Sequence, residues 1–425
     1  MRGRHMNNSP TSGISSPEMS VTVRSENSEI KDHSAINEAP SPLELSVVIP
    51  CLNEAETVST CIRKAQQVLH EHQIDGEIVV ADNGSTDGSQ ALAMREGARV
   101  VNVEARGYGS ALIGGIYAAR GRFIIMGDAD DSYDFLEIPK FVRKLREGFD
   151  LVQGCRLPIG GGKIMPGAMP FWHRVFGNPV LSGMARRMFR APIHDVYCGL
   201  RGFSKQLYER LHLRCSGMEF ATEMIIKASL WGEKITEVPI TLHPDGRRAH
   251  PPHLKTLRDG WRTLRLFMMF SPRWLFVIPG ALLILSGIIG YAIALPRITL
   301  NGVTFDAHTL LFASLAILCG YQSVLFAIFT KTLAIAESLM PADRLMIHFF
   351  QLVNLERGLI MASVTLLLGL ALLLVAVFQW QWTNFGPLDY ARTMRWVIPG
   401  ATLTALGFQT LLSSFFVSIL GMFRK

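Results

Sequence analysis

Between Leu45 and Leu242 short aliphatic runs (LSVVIP, EIVVAD, RVVNV, FIIMGD and LVQGC) alternate with amphipathic stretches such as residues 54–72 and 109–120. Runs that stay apolar at consecutive positions predict strands buried on both faces. Their alternation with helical patterns predicts an α/β domain whose mostly parallel sheet is covered by helices on each side. After Pro251 the segment HLKTLRDGWRTLRLFMMF places Leu254, Leu257, Trp261 and Leu264 on one helical face, with Lys255, Arg258, Arg262 and Arg265 around it. That pattern predicts an amphipathic helix lying in a membrane interface. Four unbroken apolar runs follow, about 274–295, 309–333, 359–380 and 396–422, each near the roughly 20 residues that cross hydrocarbon. Residues 1–44, rich in Ser, Asn, Glu and Pro, have no apolar period and predict a disordered tail. The expected organisation is thus a tail (1–44), an α/β domain (45–250), an interfacial helix (251–272) and four transmembrane helices (273–425).

Composition agrees with a membrane protein: of 425 residues 49% are hydrophobic and 18% charged, against about 25% charged in an ordinary soluble domain. The formal net charge of +7 suits anionic lipid, a phosphorylated substrate or nucleic acid, and the placement of the basic residues decides. Arg262, Arg265, Arg273, Lys331, Arg344, Arg357, Arg424 and Lys425 fall on one side of the apolar runs, and Arg297, Arg392 and Arg395 on the other. The richer side is expected to be cytoplasmic, which puts the α/β domain and the C-terminus in the cytosol. The tail has no apolar run after its basic start, so no secretory signal is expected. Because the basic cluster adjoins the spans, nucleic acid is not an expected partner. The six cysteines form no C-x-x-C pair, so they read as reduced thiols rather than a zinc site or disulfide framework.

Chemistry concentrates where strands end, the edge at which open α/β sheets bind ligands. The first strand runs into Pro50, Asn53 and Glu54; the second into Asp82 and Asp87 within a Gly-rich turn. These groups suit a nucleotide base or ribose, although Asn, Asp and Glu are also ordinary helix-capping and turn residues. The fourth strand runs into Asp128, Asp130 and Asp131. Carboxylates crowded at a strand end repel one another, and a divalent cation shared with substrate phosphates relieves the repulsion. GGGK at 160–163 is no P-loop, since Ile164 stands where Ser or Thr is required.

Taken together, the three turns resemble those of an inverting family-two glycosyltransferase with a GT-A fold, Asp128-Ala129-Asp130 matching its D-x-D metal motif. The run RGYGSALIGGIYAARGRFIIMGDADDSYD is similar to that of polyprenyl-phosphate sugar synthases, the dolichyl-phosphate mannose synthase group, and the similarity spans about residues 45–270. The resemblance implies a Mg²⁺ or Mn²⁺ cofactor on Asp128 and Asp130, and donor binding by Pro50, Asn53, Glu54, Asp82, Asp87 and Asp128. It implies acceptor binding by Arg156, Arg174, Asn178, Arg201 and Glu219, and catalytic parts for Asp130, Asp195, Arg156 and Arg174. Asp195 and Arg201 lie in HDVYCGLRGF, similar to the family's D-x-T-S-G-F-R element but with Tyr197-Cys198 in place of Thr-Ser; a salt bridge between the two would need no substrate. Arg248 and Lys255 match a basic loop that closes over the donor pyrophosphate. The implied reaction is inverting hexose transfer from a nucleotide sugar to a polyprenyl or dolichyl phosphate in the membrane lipid, at its cytoplasmic face. Homo-oligomerisation is left open. A processive polysaccharide synthase would need a Q-x-x-R-W signature, which Gln206 and Arg210 do not supply. A non-catalytic membrane protein or flippase remains an alternative, though the spans carry almost no ionisable residue apart from Lys331.

Overall fold

The computed structural model describes residues 43–247, 256–300, 302–342, 344, 346–348 and 354–422. The expected tail up to residue 42 falls outside the described residues. The α/β region runs β1 (Leu45–Cys51), α1 (Val58–Glu71), β2 (Gly76–Asp82), α2 (Ser89–Arg95), β3 (Arg99–Asn102), α3 (Tyr108–Ala118), β4 (Phe123–Met126), α4 (Ile138–Arg146) and β5 (Leu151–Cys155). It continues through the short β6 (Lys163–Ile164), α5 (Asn178–Phe189), β7 (Arg201–Ser204), α6 (Lys205–Leu211), α7 (Phe220–Trp231), β8 (Ile235–Pro239) and the short β9 (Thr241–Leu242).

Seven strands form one sheet in the order β3-β2-β1-β4-β7-β5-β8. All pairs are parallel except those of β7, which runs antiparallel between β4 and β5. This is the mostly parallel GT-A-type sheet expected from the sequence. Every residue of β1 is buried, and its side chains alternate between two apolar layers, as the period of two in a strand requires. Val47 and Ile49 join α1 and α4 through Val58, Ile62, Phe141 and Leu145. Val48 joins α3, α5 and α7 through Leu112, Ile116, Phe189 and Met224. β4 pairs with β1 only as far as Val48↔Met126, while β1 continues along β2 to Cys51↔Asp82. The two central strands therefore part at their carboxyl ends. Pro50, which has no N–H to donate, lies beyond the last β4 pair, where a ladder tolerates proline.

α8 (Thr256–Met269) leads into the membrane region. Its protein-facing side differs from the apolar stripe in the sequence: Asp259, Thr263, Leu266 and Phe267 are buried, whereas Trp261 is 64% exposed. Phe267 meets Phe189 of α5 edge-on at 5.5 Å. The α/β core thus captures one face of α8 and leaves Trp261, Arg258 and Arg265 outward, where an aromatic ring and cations suit a lipid headgroup region. α9 (Ile278–Ala294) with the π-helical turn Arg273–Val277 before it, α10 (Ala307–Ala336), α11 (Leu355–Trp382) and α12 (Tyr390–Met422) are long and apolar enough to cross a membrane. The first two pack as a hairpin, as do the last two, and α10 joins the pairs by packing on α12.

Candidate active site

Where β1 and β4 part, the chain leaving β4 brings Asp128 and Asp130 to the carboxyl edge. Tyr108, at the start of α3, donates its hydroxyl hydrogen to Asp128 Oδ1 at 2.8 Å. Gly199 fits against the other oxygen: a Cβ there would stand 2.6 Å from Asp128 Oδ2. Burial, and secondarily the charge of Asp130, push the Asp128 carboxyl up to about 6. Asp130 Oδ1 accepts the amide and hydroxyl of Ser132 at 3.0 and 2.7 Å. Asp131 does not join them. Its backbone adopts φ +58, a conformation in which Asp is less disfavoured than most residues, and its carboxylate turns out to Lys64 of α1 at 2.8 Å. The crowding expected of three acids is therefore a crowding of two.

A cation already faces Asp130. The Arg247 guanidinium lies 3.0 Å from Asp130 Oδ2, 3.0 Å from Glu54 Oε1 and within hydrogen-bonding distance of both Asp245 oxygens, with 9% of its side chain exposed. Gly246 makes this approach feasible: its amide donates to Asp130 O at 2.9 Å, and a Cβ would meet Thr57 Cγ2 at 2.9 Å. From sequence Arg247 reads only as one member of the basic run ahead of α8 and is not singled out as a binding residue. Its neighbour Arg248 is, and the signal that separates them is the Asp245-Gly246-Arg247 turn, whose aspartate folds back on the arginine. Arg248 and Lys255 lie outside the described residues.

Asp128 and Asp130 fit a divalent cation by donor type, since both offer hard oxygens. Among the described residues no group of three His, Cys, Asp or Glu side chains is arranged to hold a metal. With these two as ligands, phosphate oxygens of a substrate would complete the shell, as Mg²⁺ prefers.

The second turn folds onto the first. Asp82, buried at the end of β2, accepts the amides of Gly84 and Ser85 and the Gln90 amide group through Oδ2. Its Oδ1 is buried with no partner among the described residues. Asn53, at φ +60, accepts the Thr86 amide at 2.8 Å and donates its own amide to Ser85 Oγ. Asp87 accepts the amides of Ala55 and Ser89. Burial pushes the Asp87 carboxyl up, but the bonds from Ser89 and Ala55 exceed it and hold the group below its ordinary value. The two turns thus form one rim carrying Pro50, Asn53, Glu54, Asp82 and Asp87.

Farther along the sheet edge, Arg156 and Asp195 hold each other. Arg156 Nε and Nη2 donate to the two Asp195 oxygens at 2.7 and 2.8 Å, and the Arg156 amide adds a third bond at 3.0 Å. The alternative Asp195–Arg201 salt bridge is therefore corrected: Arg156 has taken the carboxylate. Arg201, fully buried, donates instead to the carbonyls of Cys198 and Ala221, and burial lowers its pKa. Glu237 fixes the Asp195 loop by accepting the amides of His194 and Asp195. Arg156 also reaches the Tyr133 hydroxyl at 3.3 Å, which accepts from Gly199 N, so this pair buttresses the wall beside Asp128. Arg174 is exposed on the π-helical turn His173–Gly177 among the exposed rings of Phe171, Trp172 and Phe176. Asn178 begins α5 and is half-buried. Glu219 lies apart, 3.5 Å from Arg262 of α8. The structure thus gathers the acids and the rim of the first two turns, while Arg156, Asp195 and Arg201 form a buried layer behind them.

Residues 46–211 match the glycosyl transferase family 2 domain, and residues 328–421 match the glycosyltransferase family 2 C-terminal transmembrane region. The low-salt glycan biosynthesis hexosyltransferase Agl6 of Haloferax volcanii is 36% identical over 378 residues, 89% of each chain. The dolichyl-phosphate hexose transferase of the same organism is 28% identical over 198 residues, 46% of this chain and 82% of its own. Among solved structures, glucosyl-3-phosphoglycerate synthase from Mycobacterium tuberculosis, in complex with Mn²⁺, UDP and glucosyl-3-phosphoglycerate, aligns with a TM-score of 0.42 at 23% identity, over 54% of this chain and 78% of that one. On the family matches and the 36% identical relative covering 89% of the chain, this integral membrane protein belongs to glycosyltransferase family 2.

Proposed function

We propose that this glycosyltransferase moves a hexose from a nucleoside diphosphate sugar to a polyprenyl phosphate of the dolichyl type at the cytoplasmic membrane face, with inversion and a divalent cation. One observation carries the reading: the domain that holds the acid pair packs directly on the helix that leads into the first span. Asp130 is bonded to Arg247, the last described residue before α8, and α8 packs into the core under the sheet and runs on to the first span. An acceptor phosphate that stays in the bilayer meets such a site without a soluble carrier. The names of the two Haloferax relatives, a hexosyltransferase and a dolichyl-phosphate hexose transferase, support the same substrate class. The bias of Arg and Lys towards one side of the spans supports the cytoplasmic orientation.

A phosphate monoester is already anionic near neutral pH, so its oxygen attacks the anomeric carbon without a general base. Rate then depends on positioning and on compensating charge as the nucleoside diphosphate leaves. When bound, Mg²⁺ or Mn²⁺ supplies that compensation, and Asp128 and Asp130 would hold it. Tyr108 fixes the orientation of Asp128. The open oxygen of Asp82 takes a donor from the base or ribose, with Pro50, Asn53, Glu54 and Asp87 shaping the rim around it. Arg174 and Asn178 meet the acceptor phosphate from the side carrying the exposed aromatic rings. Arg156, Asp195 and Arg201 act from behind by holding the wall, and Glu219 ties α8 to the domain.

Incubating membranes with a panel of radiolabelled nucleotide sugars and polyprenyl phosphate tests the reading; a lipid-linked monosaccharide is expected, and a polymer would overturn it. Asp130→Ala is expected to cost roughly 10²–10³-fold in turnover, the scale of losing one preorganised electrostatic group. Undiminished transfer by the purified, folded variant would remove Asp130 from the mechanism.

A further inference from the structure

The bonding of Arg247 is unusual for a substrate-binding arginine because the chain itself saturates it. Its fork reaches Glu54 from the first turn, Asp130 from the fourth strand's turn and Asp245 from its own segment. The backbone reinforces the arrangement: His243 N donates to Ser132 O at 2.9 Å and Gly246 N to Asp130 O at 2.9 Å. Both Asp130 oxygens are thereby engaged, one by Ser132 and the other by Arg247. A hard dication coordinates through the lone pairs that the guanidinium now uses, and like charges placed on one carboxylate repel.

We propose that Arg247 is an internal counterion that competes with the divalent cation for Asp130, so that cation binding expels the guanidinium and loosens the strip from His243 to Arg247. The inference rests on the assignment of the cation to Asp128 and Asp130 made above. It has a directional consequence. A cation arriving alone must break the bonds of Arg247 with nothing offered in exchange, whereas one arriving with a nucleoside diphosphate brings anionic oxygens that take up the freed positive charge. Cation and nucleotide therefore bind with positive coupling, and by linkage each strengthens the other by the same factor.

The test is Mn²⁺ binding to the full-length chain in detergent, followed by electron paramagnetic resonance with Mn²⁺ alone and then with UDP or GDP added. Arg247→Ala is expected to bind Mn²⁺ alone about tenfold or more tightly than the wild type, and to lose most of the nucleotide's enhancement. Asp245→Asn supplies a second route should that variant fold poorly. It removes a nearby negative charge, which by simple electrostatics weakens cation binding; the latch instead predicts tighter binding, because Arg247 loses an anchor. Hydrogen exchange adds a reading independent of affinity: in the wild type, Mn²⁺ with nucleotide is expected to speed exchange at the His243 and Gly246 amides. Wild-type binding that depends on Asp130 but is unchanged or weakened in both variants would overturn the latch alone. A wild type that binds no Mn²⁺ even with either nucleotide would overturn the cation assignment and the latch with it.

Discussion

In the α/β region Glu223 and Lys227 form an ion pair at 2.9 Å with their side chains 2% and 0% exposed, and Arg156 with Asp195 forms another. In the membrane bundle the ion pair between Asp306 and Arg395 sits at the ends of α10 and α12, and the polar contacts between spans include hydroxyl pairs and the Ser323 hydroxyl donating to the Phe276 carbonyl. Glycine marks the same contrast. A Cβ at Gly280 would lie 2.8 Å from Gly320 O of the facing span, so α9 and α10 touch backbone to backbone. Water explains the difference. The α/β region has a hydrophobic driving force strong enough to carry charges inside, provided each is paired and hydrogen-bonded. Between spans, lipid tails are as apolar as Leu, so helices sort themselves by close packing of small residues and by hydrogen bonds between hydroxyls. Buried charge in the α/β region therefore reports on chemistry or on rigid loops.

The comparison is broken most forcefully at Lys227. Its ammonium pairs with Glu223 and donates to His212 O, while Glu223 Oε2 accepts the Arg214 and Cys215 amides. Lys227→Ala leaves a buried carboxylate without its cation and is expected to cost about 3–5 kcal/mol in chemical denaturation of the purified chain. The double variant Glu223→Gln with Lys227→Met is expected to recover most of that loss, since no charge then remains unpaired. A single-variant loss under about 1 kcal/mol would mean that water reaches the pair, as it does at an exposed salt bridge.

Legibility in the sequence follows the same physics. Strand runs such as LSVVIP and the four apolar spans repeat a simple hydropathy rule, so sheet and membrane helices could be read directly. The i, i+4 spacing of Glu223 and Lys227 is likewise enough to predict their pair. What failed was partner choice across distance. Asp195 and Arg201 are close in sequence, yet Arg156, 39 residues away, holds the carboxylate. Asp131 follows Asp130 directly, but a left-handed backbone turns it to Lys64. The stripe chosen for α8 followed hydropathy, whereas the core takes Asp259 and Thr263 and leaves Trp261 outside. Such selections depend on which surfaces the topology brings together, information that periodicity does not contain.

A smaller effect sharpens the α/β side. Glu77 accepts from Arg99 at 2.8 and 3.1 Å, from the Arg120 amide and from Ser46. Burial pushes the acid up, but these bonds together exceed it, so the folded pKa lies below the ordinary 4.5. A depressed carboxylate contributes stability above its unfolded pKa and loses it as pH falls through the folded value. Glu77→Gln is therefore expected to lower stability near neutral pH by roughly 1.5 kcal/mol, the low end for hydrogen bonds to a charged group. The gap in Tm between variant and wild type should close as pH falls below 4.5. A gap that persists in acid would assign the loss to packing rather than to charge.

The least effect is expected inside the bundle, where Tyr291 of α9 shares its hydroxyl with Ser314 of α10 at 2.6 Å and Thr402 of α12 at 3.3 Å. Such a bond would be costly to lose if the unfolded alternative were a bare hydroxyl in hydrocarbon. In a membrane the separated helices find other acceptors, and Thr402 already donates to the Ile398 carbonyl of its own helix. Tyr291→Phe keeps the ring that fills the space and removes only the hydroxyl, so its expected cost is about 0.6 kcal/mol. Unfolding the full chain in mixed micelles, with Lys227→Ala run alongside, measures both on one scale. A loss at Tyr291 rivalling that at Lys227 would mean that the spans are held by specific polar bonds after all, and would make the centre of the bundle, rather than its edge, the place to look for a second role of the membrane region.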